Sequence, residues 1–115
     1  MRGLNETFLG NVYIDGKPVC DDKWDLLDAQ VVCRQLGLGA AVVATKLSFF
    51  GLAEGEFGFD NVECDGSEQR VKDCKYLTES NCDESEAAGV ICSSKFVKDY
   101  QLKHTFVSVK YTYCW

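Results

Sequence analysis

Histidine and closely paired cysteines are scarce in this 115-residue sequence. His104 is the single histidine, and none of the seven cysteines belongs to a C-x-x-C pair. Structural zinc sites use paired cysteine, or cysteine and histidine, at short spacing, so a zinc-bound domain is disfavoured. A Ser/His/Asp or Cys/His catalytic group needs a histidine oriented by a third side chain. Because nothing marks such a partner for His104, the sequence does not predict an enzyme.

An excess of positive charge and a long apolar run are also lacking. The 12 basic residues stand against 18 acidic ones, and the formal net charge is −6. A nucleic-acid-binding surface needs a basic face to neutralise phosphates, so specific nucleic-acid binding is disfavoured. No apolar run reaches the length of a membrane span. Met1-Arg2-Gly3 is not followed by the apolar core of a signal peptide.

Cysteine, in contrast, is abundant. Seven cysteines in a chain of this length favour a disulfide framework formed in an oxidising compartment. Because seven is odd, at least one thiol is unpaired or pairs with another chain. A disulfide-bonded protein must be exported. We therefore interpret the sequence as one domain of a longer protein, which is either secreted or the extracellular part of a membrane protein.

The stretch CDDKWDLLDAQVVCRQLG, residues 20–37, predicts one amphipathic helix over 26–36. Asp25 is suited to cap its start, and Asp28, three residues on, completes a capping box. Gly37 stands where a left-handed C-cap is favoured. Four apolar residues recur at helical spacing and so share one face: Ala29, Val32, Cys33 and Leu36. Cysteine on that face makes the buried side of the helix a crosslinking side as well.

Short β-rich segments surround this helix. Strands are predicted at 8–14, 17–20, 40–45, 59–64 and 87–92. Asp15-Gly16 is a tight-turn signal that makes the first two strands a hairpin. The glycine- and phenylalanine-containing segment 46–59 is predicted as a long surface loop, and 74–86 as a polar loop. Between Cys64 and Cys74 we expect a turn and one helical turn.

The residue types and their order resemble those of the scavenger receptor cysteine-rich (SRCR) domain family. The resemblance is carried by CDDKWDLLDAQVVCRQLGLG from Cys20, FDNVEC (59–64), DC (73–74), NC (81–82) and EAAGVIC (86–92). It covers residues 3–94, which we interpret as the domain. It implies an α+β fold, in which a curved antiparallel β-sheet cradles one main α-helix and disulfides crosslink the two.

The resemblance also implies which cysteines pair. Six of them match the six-cysteine form of the family, whose pairing corresponds to Cys20–Cys82, Cys33–Cys92 and Cys64–Cys74. The residues alone leave the other connectivities of six cysteines open. Cys114 is then free, or available for an intermolecular contact.

Residues 95–115 lie outside the resemblance. Apolar residues alternate there with polar ones, which is a strand pattern with period two; they are Val107, Val109, Tyr111, Tyr113 and Trp115. The segment is an extra strand, the start of a following domain, or a remnant of cloning, and the sequence does not choose among these origins.

A calcium site follows from the same resemblance. Many family members bind Ca²⁺ through carboxylates at the positions of Asp21, Asp22 and Glu86, and hard oxygen ligands suit that ion. A second family site corresponds to Asp22, Asp60, Asn61 and Asn81. The alternative is that the first three carboxylates are merely solvated, or pair with Lys23 and Arg34.

Two further surface features are candidates for function. A basic cluster formed by Arg70, Lys72 and Lys75 is either a site for a polyanion or a solvated charged loop. Asn5 begins an Asn-Glu-Thr sequon, which is plausibly glycosylated in an exported protein.

The function that the resemblance implies is extracellular recognition. The domain is expected to bind a protein or polyanionic ligand, with calcium, as part of a scavenger-receptor-type or other secreted multidomain glycoprotein. The alternative is a non-catalytic accessory domain of a secreted enzyme of the serine protease or amine oxidase type. A third possibility is a purely structural spacer. The sequences flanking the domain would discriminate among these functions.

Overall fold

The chain folds, in a computed structural model that describes residues 6–94 and 107–110, around one α-helix and two antiparallel sheets. In chain order the elements are β1 (Glu6–Ile14), β2 (Lys17–Pro18), α1 (Leu26–Gln35), β3 (Ala40–Thr45), β4 (Asp60–Glu63), a 3₁₀ turn (Val71–Asp73), β5 (Lys75–Leu77), β6 (Gly89–Ser94) and β7 (Val107–Lys110). The α+β architecture expected from the sequence is confirmed. No helix in these two ranges combines the length and hydropathy needed to cross a membrane.

Helix α1 begins and ends where its local sequence predicts. The Asp25 side chain accepts the N–H groups of Leu27 and Asp28, and Asp28 Oδ2 accepts the Asp25 N–H at 2.8 Å. This reciprocal pair is the predicted capping box. At the other end Gly37 has φ of 71°, and the next N–H, from Leu38, donates to Cys33 O at 2.9 Å. The C-terminal carbonyls are thereby satisfied in a Schellman arrangement.

The larger sheet is organised around β1 and β6. Its strand order is β2-β1-β6-β3, and β7 pairs with β1 outside this path. Glu6 pairs with Ser94 at one end of the β1–β6 ladder, and Asn11 pairs with Gly89 at the other. Asp15 and Gly16 have φ of 54° and 81°, so a two-residue turn of the primed type closes the predicted β1–β2 hairpin.

The second sheet consists of β4 and β5, paired antiparallel. Strand β5 corrects the expectation of a loop throughout 74–86. Its three residues are too few to show an alternating pattern, and it forms because the Cys64–Cys74 disulfide holds it beside β4. The 3₁₀ turn before it is the single helical turn predicted between the two cysteines.

The core lies between α1 and the larger sheet. Val32 and Cys33 are fully buried and Leu36 is buried, so the predicted helix face is confirmed. Val31 is also fully buried, because α1 contacts β4 and the 3₁₀ turn as well as β3 and β6. Trp24, just before the helix, is buried, and its Nε1 donates to Gly89 O at 2.9 Å.

Three disulfides form among the cysteines of residues 6–94, and they join the cysteines that the resemblance pairs: Cys20–Cys82, Cys33–Cys92 and Cys64–Cys74. The second links the buried face of α1 to the central strand β6. Strand β7 shows that 107–110 adopt the predicted extended conformation and join the sheet through β1. Asn5, His104, Cys114 and the rest of 95–115 lie outside the described residues.

Candidate ligand-binding face

Three chain segments converge around Cys20. The Cys20 N–H donates to Phe59 O at 2.8 Å, and the next N–H, from Asp21, donates to Glu86 O at 3.0 Å. The Cys20–Cys82 disulfide adds a covalent link on the same side. The chain from Cys20 to Asp22 therefore runs beside the start of β4 and beside the 82–87 turn, so acidic residues occur on three neighbouring segments.

Of the first predicted set of carboxylates, Asp21, Asp22 and Glu86, the structure brings only the first two close together. Asp21 is buried, and its Oδ2 accepts the Leu47 N–H at 2.8 Å. The possible ligand atoms of Asp21 and Asp22 lie within 4.8 Å of one another and of both sulfurs of the Cys20–Cys82 disulfide. Within the described residues Glu86 is not part of that group. Its Oε1 instead accepts the Asp83 N–H at 2.8 Å, closing the turn that carries it.

These residues fit a hard cation. The two sulfurs are committed to a disulfide, so the atoms left to coordinate are carboxylate oxygens, which Ca²⁺ prefers. The alternative partners named from the sequence are engaged elsewhere. Lys23 Nζ pairs with Glu63 at 2.6 Å, and Arg34 donates to the carbonyl groups of Gly66 and Glu68.

The second predicted set contains an unsatisfied oxygen. Asp60 is buried, and its Oδ1 has no hydrogen-bond partner among the residues that the structure describes. Burying a carboxylate oxygen without a hydrogen-bond donor or a cation costs free energy. This atom is therefore suited to act as an oxygen ligand of a metal ion. Asn61, half-buried beside a β-bulge, has φ of 52°, and Asn81 is exposed.

The basic cluster is largely neutralised by local ion pairs. Arg70 pairs with Asp73 at 3.5 Å, and Lys72 pairs with Asp15 at 2.7 Å. Lys75 is exposed on β5. A groove of about 620 Å³ runs past Lys72 and Lys75 but not past Arg70, so the three predicted residues do not share one pocket.

Asp28 has a role beyond capping that the sequence does not reveal. Its Oδ1 accepts the Cys64 N–H at 2.7 Å, so the carboxyl group ties the start of α1 to the end of β4. The side chain is fully buried, and burial raises its pKa from the ordinary 3.8 to about 7, against the lowering effect of its two backbone N–H bonds. The sequence signal, an aspartate at the third helical position, indicates only the cap.

We expect Asp28→Asn to have a lower free energy of unfolding than the wild type. This deficit in unfolding free energy should shrink as pH rises. The amide cannot accept both N–H groups, so the deficit exists at every pH. Between about pH 4 and 7 the folded wild type holds the Asp28 proton more tightly than the unfolded chain does. The carboxyl's contribution to stability therefore falls as pH rises through that window. Urea unfolding should show the deficit smaller by about 2 kcal/mol at pH 7.5 than at pH 5.

The exposed carboxyls of Asp65 and Asp83 have lowered pKa values, because the hydroxyl groups of Ser67 and Ser85 bond to them. They affect wild type and variant alike, so they cancel in the comparison. A deficit that grows between pH 5 and 7.5 would show that the two N–H bonds outweigh burial at Asp28.

Comparison with known proteins agrees with this fold. The family model described as "Scavenger receptor cysteine-rich domain" matches residues 5–93, and the chain therefore belongs to the SRCR family. The resemblance drawn from the sequence is confirmed. The crystal structure of the dimeric form of the SRCR domain of mouse MARCO matches with a TM-score of 0.69 and 36% identity, covering 80% of this chain and 93% of that one.

Two curated relatives show the proteins in which similar sequences occur. A scavenger receptor cysteine-rich domain superfamily protein of Patiria pectinifera is 49% identical over 76 residues, which are 64% of this chain and 7% of that protein. Lysyl oxidase homolog 2 of Pongo abelii is 47% identical over 77 residues, which are 66% of this chain and 10% of that protein. The chain thus spans a tenth or less of the length of these relatives.

Membership of the family establishes the general class of function. SRCR domains occur in extracellular regions of proteins and are recognition modules that bind protein ligands. Where they occur in enzymes they are not the catalytic part. The disulfide-rich structure agrees with an extracellular location.

Proposed function

We propose that this domain recognises an extracellular protein ligand through an acidic face, which consists of Asp21, Asp22 and the adjoining 82–87 turn. We also propose that calcium supports the binding. The observation that carries the proposal is the convergence of Asp21 and Asp22 beside the 82–87 turn, with no basic side chain of the described residues paired to them. Like charges held together repel, and a bound cation relieves that repulsion.

The residues of the face differ in what they can do. Asp21 is buried and oriented by the Leu47 N–H, so it suits an inner ligand of fixed geometry. Asp22 is exposed and can meet an incoming group directly. Glu86 lies beside them through its backbone, and Asp60 offers the unsatisfied oxygen of the second set. A bound calcium ion would supply positive charge and coordination positions that these carboxylates cannot fill alone.

A protein ligand is favoured over a polyanion at this face. A lysine or arginine of a partner could pair with carboxylates left outside the metal shell, whereas a polyanion would be repelled by them. A polyanionic ligand remains the proposal for the basic groove alone. There Lys75 is an exposed cation, but Lys72 is already paired with Asp15.

A second candidate function is that of a non-catalytic accessory domain in a secreted enzyme. Relatives named lysyl oxidase homolog 2 match this chain over a tenth of their length, so a domain of this sequence type does occur within such proteins. The complete coding sequence decides the question, because an enzyme domain beside this one would establish the accessory role. A membrane anchor or collagen-like segment would favour a receptor.

We expect the oxidised domain to bind calcium, and Asp22→Asn to weaken that binding by at least about tenfold, because it removes an anionic ligand without touching the core. Asp73→Asn, which changes an exposed carboxylate on the 3₁₀ turn, is the matched control and should bind like the wild type. Calorimetric titration measures both. Asp60→Asn should lower the stoichiometry if the second set also holds an ion.

Absence of binding heat for the wild type at millimolar calcium, with all three disulfides verified, would contradict the metal site. The carboxylates would then form a solvated acidic face. Equal weakening by Asp22→Asn and Asp73→Asn would show that general electrostatics, rather than a defined site, holds the ion.

A further inference from the structure

The loop formed by residues 46–53, hereafter the apolar loop, presents large apolar side chains to solvent. Leu47 is 71% exposed, Phe49 is 64% exposed and Leu52 is 58% exposed. Between them Phe50 is buried and anchors the loop in the domain. Exposed apolar side chains scattered singly need no explanation, but three within six residues form a cluster that calls for one.

This exposure does not result from a loosely held loop. Hydrogen bonds fix the apolar loop to the acidic segments and to β1: Leu47 N–H to Asp21 Oδ2 (2.8 Å), Ser48 N–H to Ala87 O (3.0 Å), Ser48 Oγ to Glu84 O (2.6 Å), Ala53 N–H to Glu84 O (2.9 Å) and Asn11 Nδ2 to Gly51 O (2.8 Å). The apolar side chains are therefore displayed from a defined backbone, which lowers the entropic cost of binding a partner.

Folding stability alone does not account for leucine at position 47. Leu47 has φ of 55°, a left-handed conformation that glycine and asparagine adopt more readily than leucine. Its side chain gains little from burial, since most of it faces solvent. A leucine that is both strained and exposed is accounted for when something outside the domain covers it.

The same hydrogen bonds bring negative charge to the edge of the apolar loop. Asp22, Glu54 and Glu84 are exposed and Glu86 is half-buried, and none of them forms an ion pair with another residue of the described ranges. Lys46 is the one basic residue of the loop. A partner that covers the loop therefore comes within reach of several carboxylates that form no ion pair with the described residues.

The negative charge beside the apolar loop determines which kind of partner can cover it. An anionic membrane or a sulfated glycan would be repelled by the carboxylates. A second copy meeting the same face would bring two acidic surfaces together. A neutral apolar partner would bury carboxylates without a counter-charge, which is costly. A segment with lysine or arginine next to leucine or phenylalanine avoids all three problems.

We infer that the apolar loop and its adjoining carboxylates together bind a basic, amphipathic segment of a protein partner. The partner's apolar side chains pack on Leu47, Phe49 and Leu52, and its cationic groups pair with Glu54 and Glu84. The inference rests on the proposed function in using the same acidic face. It adds that apolar contacts, and not charge alone, select the ligand.

The test uses the full 115-residue oxidised chain and three capped hexapeptides labelled with a fluorophore: alternating Lys and Phe, alternating Lys and Ser, and alternating Glu and Phe. Fluorescence anisotropy, with calcium and with chelator, measures their affinities. We expect the Lys/Phe peptide to bind at least about tenfold more tightly than either of the others. Leu47→Asn removes an apolar side chain in favour of a residue that accepts the left-handed backbone, so it should fold and lose that preference.

Two more variants make the comparison specific. Phe49→Ser should also abolish the preference for Lys/Phe over Lys/Ser, with near-UV circular dichroism verifying the fold because Phe49 contacts the buried Phe50 ring. Leu77→Ser changes a 53% exposed leucine on β5, outside the apolar loop, and should leave the preference unchanged.

Several results would overturn the inference. These are equal binding of Lys/Phe and Lys/Ser peptides, equal effects of Leu47→Asn and Leu77→Ser, tight binding to vesicles rich in phosphatidylserine, or self-association in sedimentation that Leu47→Asn removes. If the wild type does not bind calcium but still prefers the Lys/Phe peptide in a way that depends on Leu47 and Phe49, only the calcium part of the proposed function is contradicted. If the wild type binds calcium but the loop variants bind the three peptides as the wild type does, only this inference is contradicted.

Discussion

The double variant Cys33→Ala/Cys92→Ala should lose about 4 kcal/mol of unfolding free energy, the expected effect of opening a crosslink between residues 59 positions apart. Both cysteines are fully buried, and their bond joins the core face of α1 to the central strand β6. Domains of this size are stable by only about 5–15 kcal/mol, so the loss is a large share of the total. Guanidinium unfolding under oxidising conditions measures it.

Cys64→Ala/Cys74→Ala is the matched control, because it removes a disulfide that closes a much shorter loop of sequence separation 10. The chain-entropy model gives it somewhat under about 3 kcal/mol. If the two double variants lose equal stability, loop length does not govern these bonds, and packing around the sulfurs does.

Trp24→Ala should cost about 3–5 kcal/mol, as large-to-small changes at buried aromatic positions do. The indole is 1% exposed, and its Nε1 donates to Gly89 O at 2.9 Å across 65 sequence positions. The variant therefore leaves a cavity and removes a buried hydrogen bond to the Gly89 carbonyl group in β6. Urea unfolding followed by far-UV circular dichroism measures the change.

Trp24→Phe separates these two effects. It keeps most of the buried ring but cannot donate to Gly89 O, so its cost should be well below that of alanine, in the range of about 1–3 kcal/mol. Equal costs for phenylalanine and alanine would mean that the hydrogen bond, and not the filled volume, accounts for the role of Trp24.

The helix could be predicted almost to the residue because its determinants are local. Asp25, Asp28 and Gly37 act within one turn of the residues they cap, so sequence spacing alone specifies the geometry. The β1–β2 hairpin is similar, since Asp15-Gly16 determines the turn and the turn determines the register. The cysteine pairs, by contrast, required the family resemblance.

The features that the sequence did not reveal depend on partners distant in the chain. Strand β5 needs β4 beside it, and the raised pKa of Asp28 needs the tertiary burial that the Cys64 segment completes. The segment 46–59 was correctly predicted to lack regular structure. In this segment Phe50 is buried and its neighbour Phe49 is exposed. No periodic sequence pattern indicates which of these two adjacent phenylalanines is buried.

The pairing of Glu6 with Ser94 has a consequence for where a label can be attached to the domain. The family match runs from residue 5 to residue 93, and Thr7 and Ser93, near its two ends, lie opposite each other on β1 and β6. The start of β1 and the end of β6 therefore lie side by side at one end of the ladder, and β7 pairs with the other end of β1. The proposed binding face lies at the opposite end of this ladder, where Asn11 pairs with Gly89 and donates to Gly51 O of the apolar loop. A label attached at Glu6 would therefore lie away from the residues proposed to bind the ligand.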